Sequence, residues 1–159
     1  MHSVPVILAV LAFGWVAALA IAPLLPAPAA AILYAAGSLI CHQLPERSFH
    51  LHAFQLPVCA RCFGLYAGGA AGLAAFLIAR GRPLFRSPGR GLLVSAAAAL
   101  PTIATLVLEH GFGWPFSNFT RALAAVPLAA VVAMVVAGAL AVVPSLPGER
   151  AGARAAPLH

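Results

Sequence analysis

Long apolar stretches make up most of the chain, and short polar segments separate them. The apolar runs lie at residues 4–25, 29–41, 57–78, 92–108 and 122–143. A helix needs about 20 residues to cross the hydrocarbon core of a bilayer, a length that the run at 29–41 does not reach. The pattern predicts an all-α integral membrane bundle of four to five hydrophobic helices, of which the second is short.

Prolines mark several boundaries between these runs. The proline cluster at 23–28 must break a helix between the first and second runs. Pro57 is predicted to lie in the first turn of the third helix, where a missing N–H is tolerated. Residues 1–145 are therefore interpreted as one transmembrane domain with a motif loop at 41–62. The polar, proline- and glycine-rich residues 146–159 are interpreted as a flexible cytoplasmic tail.

The composition agrees with a membrane protein. Hydrophobic residues make up 63% of the 159 positions and charged residues 8%, against about a quarter charged in soluble proteins. The net charge of +6 comes from arginine, because the sequence contains neither lysine nor aspartate. These arginines lie in short segments beside apolar runs, which argues against a nucleic-acid partner and indicates the lipid bilayer instead.

The arginines also predict an orientation in the membrane. Two segments rich in arginine are assigned to the cytoplasm by the positive-inside rule. They contain Arg80, Arg82, Arg86 and Arg90 between the third and fourth runs, and Arg150 and Arg154 after the fifth. The extracytoplasmic face then holds the loop at 42–58 and the connection from Glu109 to Arg121. Five full spans would place the N-terminus outside, and four spans with a half-helix would place it inside.

A C-x-x-C motif, Cys59-Ala60-Arg61-Cys62, lies at the predicted start of the third helix. The spacing puts both sulfurs on one helix face, with Tyr66 one turn further along it. The positive end of the helix macrodipole and the Arg61 guanidinium both favour thiolates there. Because metal binding and disulfide exchange both use thiolates, the motif alone does not choose between them.

A metal site is the first hypothesis. Cys41 and His42 end the second run, and the chain must then return to the same membrane face. That return could bring Cys41 and His42 onto Cys59 and Cys62 and complete a Cys3His set, a ligand combination typical of zinc. His50, His52 and Glu46 are further candidates for the fourth ligand. With only three protein ligands, the metal would keep an open position for water or substrate.

A membrane thiol-disulfide oxidoreductase is the second hypothesis. Cys59 would be the nucleophile, Cys62 its partner and Cys41 the resolving thiol, with a quinone as cofactor. The odd number of cysteines weakens this interpretation, since such enzymes usually use a second cysteine pair.

A non-enzymatic accessory subunit is the third hypothesis, and whether the protein is an enzyme stays open. Gly64, Gly68 and Gly72 form a ladder of small residues along the third helix, which lets another helix approach closely. This ladder is a candidate surface for a homo- or hetero-oligomer.

Polar residues near the predicted cysteine face are expected to support the site. An ion pair between Glu109 and Arg121 is predicted, because ionisable groups at the edge of a membrane bundle are usually paired. The expected supporting residues are Gln43, Arg47, Arg61, Tyr66, Glu109, Asn118 and Arg121.

Several motifs occur in a fixed order along the chain. They are Cys41-His42-Gln43, Arg47-Ser48-Phe49, Pro57-Val58-Cys59-Ala60-Arg61-Cys62, Gly64, Tyr66 and Gly68, and later Asn118 and Arg121. This order resembles the signature of the domain of unknown function 2085 family of small prokaryotic membrane proteins. The resemblance implies a multi-pass fold in a prokaryotic inner or plasma membrane and names no reaction. The chain departs from the family near Glu109, where many members have an aspartate–glycine pair.

Overall fold

The computed structural model of the chain describes residues 3–79 and 88–142, which form five α-helices and one small sheet. The helices are α1 (Ser3–Ile21), α2 (Ala27–Ser38), α3 (Ala60–Ile78), α4 (Pro88–Phe112) and α5 (Asn118–Val142). Strands β1 (Ser48–Leu51) and β2 (Phe54–Cys59) pair antiparallel between α2 and α3. The predicted tail at 146–159 and five of the six topology-setting arginines, all except Arg90, lie outside the described residues.

Four of the described helices are long and apolar enough to cross a membrane, and α2 is a shorter apolar helix. This confirms the predicted all-α membrane bundle with a short second helix. A helix satisfies all of its backbone hydrogen bonds internally, which is the condition for crossing lipid. A 3₁₀ turn at Ala22–Leu24 ends α1 where the proline cluster begins.

Helices α3 and α5 form the tightest contact of the bundle. At Gly64, Gly68 and Gly72, an added Cβ would lie only 2.2 to 2.4 Å from a backbone carbonyl oxygen of α5. The contacted positions advance from Ala122 to Ala130 as α3 advances, so the two helices run parallel. The glycine ladder is therefore filled by α5 within the chain. Within the chain this face of α3 is covered by α5, and an oligomer through the ladder stays a prediction.

Helix α1 runs antiparallel to α3. Its early residue Ala9 belongs to a core cluster with Leu73 and Phe76, near the end of α3. Its late residue Leu19 is fully buried in a second cluster with Val58, just before α3 begins. The end of α1, the hairpin and the start of α3 therefore meet at one end of the bundle.

The segment at 42–58 is a β-hairpin where the sequence predicted a loop. Pro57 is buried in β2 and does not start the third helix, which begins at Ala60 after an extended Cys59. The two-residue turn of the hairpin consists of His52 and Ala53, whose φ angles are 48° and 71°. Positive φ at both positions is the geometry of a type I′ turn, which matches the twist of antiparallel strands.

Candidate metal centre and arginine cluster

The three cysteines come together at the end of the bundle where the hairpin joins α3. Their sulfur atoms all lie within 4.8 Å of one another. Cys41 follows α2 and is buried, Cys59 is the last residue of β2, and Cys62 lies in the first turn of α3. All three are free thiols. The fold therefore joins the C-x-x-C motif to the distant Cys41, as the sequence predicted.

Backbone packing of α2 against β2 places Cys41. The Cys41 N–H donates to the Gly37 carbonyl at 2.9 Å, which winds the chain tightly after α2. An added Cβ on Gly37 would lie 2.2 Å from the Pro57 carbonyl oxygen, so α2 and β2 touch without a side chain between them. The Gln43 amide then donates to the carbonyls of Tyr34 and Pro57, each at 2.7 Å. Gln43 thus holds α2, the Cys41 segment and β2 together.

The local environment favours a thiolate at Cys59. The Cys59 N–H donates a hydrogen bond to the Cys41 sulfur at 3.1 Å. A hydrogen bond from the Cys62 thiol lowers the pKa of Cys59 to about 5, outweighing the opposing effect of partial burial. Cys59 also precedes the first residue of α3, where backbone N–H groups and the macrodipole stabilise negative charge.

Aromatic side chains pack beside the cysteine cluster. The ring of Tyr66 meets that of Trp15 edge-on, with centroids 6.1 Å apart and planes at 89°. Both residues pack, with Phe63, against the buried group formed by Leu19, Val58 and Cys41. These aromatic residues include Tyr66, which the sequence predicted as a supporting residue.

No described histidine belongs to the group of ligand atoms that the three sulfurs form. Among the described residues, the set of possible ligand atoms within 4.8 Å comprises the three sulfurs alone. His42 is exposed and lines a cavity together with Cys41 and Cys59. His50 lines a different cavity, His52 lies in the hairpin turn, and Glu46 is exposed in a 3₁₀ turn before β1.

Beside the sulfurs, three arginines surround one buried carboxylate. The Glu109 side chain is only 7% exposed and accepts from Nη2 of Arg121 at 2.8 Å and Nη2 of Arg61 at 3.1 Å. Nε of Arg47 lies 3.7 Å from the same carboxylate. The predicted pair between Glu109 and Arg121 is present, and Arg47 and Arg61 join it from the hairpin segment and α3.

Two further contacts fix the arginines in place. Nη1 of Arg121 donates to the Asn118 side-chain oxygen at 2.7 Å, and the Asn118 amide donates to the Ser48 carbonyl at 2.8 Å. Nη1 of Arg47 lies 3.5 Å from Nε2 of His110. Helix α5, the hairpin and the end of α4 are therefore tied together by polar contacts around the cluster.

Cys41, Cys59 and the three arginines line one common cavity of about 360 Å³. Its lining residues are Cys41, His42, Gln43, Leu44, Arg47, Cys59, Arg61, His110 and Arg121. Seven of them were predicted as ligands or supporting residues from the sequence, and Leu44 and His110 were not. Tyr34 and Gly37, which position Gln43 and Cys41, were missed as well, because each lies in an apolar run that carries no local chemical signal.

Residues 41–139 match the family described as a predicted membrane protein, domain of unknown function 2085, and the chain belongs to this family. An uncharacterized protein of Methanocaldococcus jannaschii is 38% identical over 76 residues, which cover 48% of this chain and 49% of that protein. An uncharacterized protein of Methanothermobacter thermautotrophicus is 52% identical over 29 residues, covering 18% of this chain and 26% of that protein. The chain thus spans half or less of these relatives. No solved structure matches it.

Proposed function

We propose that this chain is a multi-pass protein of a prokaryotic cell membrane that binds one zinc ion through Cys41, Cys59 and Cys62. The observation that carries the proposal is the approach of the three sulfurs to within 4.8 Å of one another. Zinc–sulfur bonds of about 2.3 Å in a tetrahedron hold sulfurs about 3.8 Å apart. Small rotations of the cysteine side chains would bring the sulfurs to that spacing.

The donor chemistry supports the same metal. Zinc takes thiolates, and the lowered pKa of Cys59 favours that form at this residue. Three thiolates leave one position of a tetrahedron, and Cys41 and Cys59 both line the cavity. His42 at that position would complete a structural Cys3His site, whereas a water molecule would give the open set that catalytic zinc centres keep.

The proposed site belongs on the extracytoplasmic side of the membrane. Arg90 lies near the start of α4, and the site lies at the other end of that helix, with Glu109. The positive-inside rule assigns the arginine-rich end to the cytoplasm. With four spanning helices and α1 antiparallel to α3, the start of α1 lies on the cytoplasmic side as well.

A thiol-disulfide oxidoreductase is the second candidate, favoured by the low pKa of Cys59. Oxidation of the Cys59 and Cys62 thiols to a disulfide would release two protons and two electrons, which a quinone would accept. The larger cavity of about 610 Å³ is lined by apolar groups with Tyr34, His50 and Phe54. No cysteine is among the described residues that line it, so the structure offers less for this scheme than for zinc.

The test of the zinc proposal is elemental analysis of the protein purified in detergent, with thiol titration of the same sample. We expect about one zinc per chain, lost in Cys41→Ser, Cys59→Ser and Cys62→Ser. His50→Ala is the matched control and should retain the metal, since His50 lines a different cavity that no cysteine of the described residues lines. Zinc that is retained in His42→Ala would assign the fourth coordination position of the metal to water.

Two results would contradict the proposal. Zinc content that does not change in the three serine variants would place the metal elsewhere. Absence of metal, with one free thiol before reduction and three after it, would mean that a cysteine pair is oxidised and would favour the redox candidate.

A further inference from the structure

The cavity beside the sulfurs carries more positive than negative charge. Arg47, Arg61 and Arg121 all line it, whereas Glu109, which contacts all three, is not among its lining residues. The Glu109 carboxylate balances one of the three guanidinium groups, so the cavity wall keeps an excess of positive charge even with a thiolate at Cys59. Formal charge in a confined, partly desolvated site attracts a counter-ion.

The guanidinium groups of Arg61 and Arg121 are held in place and are largely removed from water. The side chains of Arg61 and Arg121 are 16% and 12% exposed, and both are fixed by Glu109. Within the part of the chain that the structure describes, Nε of Arg61 is buried and has no hydrogen-bond partner. Leaving a charged donor unpaired in this way is costly. Arg47 is the most accessible of the three, with its side chain 35% exposed and its Nε 3.7 Å from Glu109.

We propose that this cavity binds a small oxyanion, a phosphate or carboxylate group, through Arg47, Arg61 and Arg121. Planar guanidinium forks match the paired oxygens of such groups. A volume of about 360 Å³ lies at the small end of ligand cavities. The inference goes beyond the zinc proposal and does not depend on it, because the arginines define the site without the sulfurs.

The oxyanion has two possible sources, a free anion in solution or the headgroup of an anionic lipid. The cavity lies at one end of a membrane bundle, so both have access to it. In either case Glu109 competes with the ligand, because its oxygens already occupy Nη2 of Arg61 and Nη2 of Arg121. Removing the negative charge of Glu109 should therefore strengthen binding, whereas a general loss of structure would weaken it.

The experiment measures binding of inorganic phosphate to the full chain in a neutral detergent, by calorimetry and by the phosphate dependence of thermal unfolding. Arg47→Gln should weaken phosphate binding by about tenfold or more, because one charge-assisted contact is lost. Glu109→Gln should tighten it and should make the melting temperature depend more steeply on phosphate. Arg90→Gln, the same substitution near the other end of α4, is the matched control and should bind as the unaltered chain does.

The lipid source is tested separately in nanodiscs of phosphatidylcholine with or without phosphatidylglycerol. Native mass spectrometry then counts the phosphatidylglycerol that stays bound to the chain and to Arg47→Gln. Retention that falls in Arg47→Gln, with no phosphate binding in detergent, assigns the site to a lipid headgroup. If Glu109→Gln does not fold, the proposal is tested by comparing ligand binding in Arg47→Gln and Arg90→Gln. Equal binding in those two variants, or no saturable binding of either ligand, would overturn the proposal.

Discussion

The carboxylate of Glu109 receives both Nε and Nη2 of Arg121, at 3.2 and 2.8 Å to the same oxygen. This side-on contact joins the last turns of α4 to the first turn of α5. It pairs the planar guanidinium of Arg121 with the planar carboxylate of Glu109. Arg61 takes the second carboxylate oxygen at 3.1 Å from α3. Three helices are therefore joined at one carboxylate, in a place where each charge is largely removed from water.

Replacement of Glu109 is expected to destabilise the bundle. Glu109→Ala leaves Arg61 and Arg121 largely buried without their shared carboxylate, and breaking a buried ion pair costs about 3 to 5 kcal/mol. Thermal or denaturant unfolding in detergent measures the loss. Glu46→Ala removes an exposed carboxylate from the segment before β1 and should change stability by less than about 1 kcal/mol. Equal effects in the two variants would mean that the cluster contributes little to the fold.

Two adjacent glycines of α3 are expected to respond in opposite directions to the same substitution. In Gly68→Ala the new methyl would lie 2.4 Å from the Val126 carbonyl oxygen, so α3 and α5 must separate, at a cost of about 1 to 3 kcal/mol. At Gly69 an added Cβ has no neighbour within 4 Å, so Gly69→Ala should gain up to about 1 kcal/mol from helix propensity. A loss at both positions would contradict the packing of α3 on α5.

Substitutions in the hairpin turn that suit its backbone geometry are expected to stabilise the protein. His52 and Ala53 hold positive φ angles of 48° and 71°, a region that costs L-residues about 1 kcal/mol or more. The double change His52→Asn with Ala53→Gly supplies the residues that a type I′ turn prefers and should raise the melting temperature. Ala71→Gly, on an exposed position of α3, is the control and should lower it. Destabilisation by the double change would argue against this turn geometry.

The reactivity of Cys59 is expected to persist at mildly acidic pH. With a pKa of about 5, Cys59 in chelator-treated protein is already thiolate at pH 6, and its alkylation rate should change little between pH 6 and 8. The alkylation rate should fall only as the pH passes below the pKa of Cys59. An ordinary thiol loses about tenfold in rate per pH unit across that range. Mass spectrometry of alkylated peptides gives the rate at this residue.

Cys62→Ala provides the control for that measurement. It removes the hydrogen bond that contributes most to the lowered pKa of Cys59, so the steep pH dependence of an ordinary thiol should return. A steep dependence in the unaltered chain would show that Cys59 is not held as a thiolate.

Much of the helical architecture follows from the sequence because lipid leaves the backbone few choices. An apolar run of about 20 residues in a bilayer must satisfy its hydrogen bonds internally, so α1, α3, α4 and α5 were predictable. The run at 29–41 is too short to cross a bilayer, and it forms the short helix α2. The proximity of Cys41 to the C-x-x-C motif also followed, since both lie at ends of runs that return to one membrane face.

The hairpin was not predictable, for two local reasons. Pro57 lacks an N–H and normally argues against a strand, yet its carbonyl accepts from Gln43 and its ring is buried. The turn residues His52 and Ala53 carry none of the Asn-Gly signal that marks a type I′ turn. Tertiary contacts with α2 and the end of α1 override these local preferences.

The full arginine cluster was only partly predictable. A Glu109–Arg121 pair could be inferred because both residues flank one short connection. The positions of Arg61 and Arg47 beside Glu109 depend on the register of α3 along α5 and on the place of the hairpin. Those quantities are set by the contacts of Gly64, Gly68 and Gly72 with the α5 backbone, which spacing in the sequence does not reveal.

The cluster around Glu109 also bears on how the chain enters the membrane. During synthesis Arg47 and Arg61 leave the ribosome well before the carboxylate that they share, and Arg121 follows last. Until α4 has been made, neither of these arginines has Glu109 as a partner. The complete cluster can form only once α5, which carries Arg121, has followed α4.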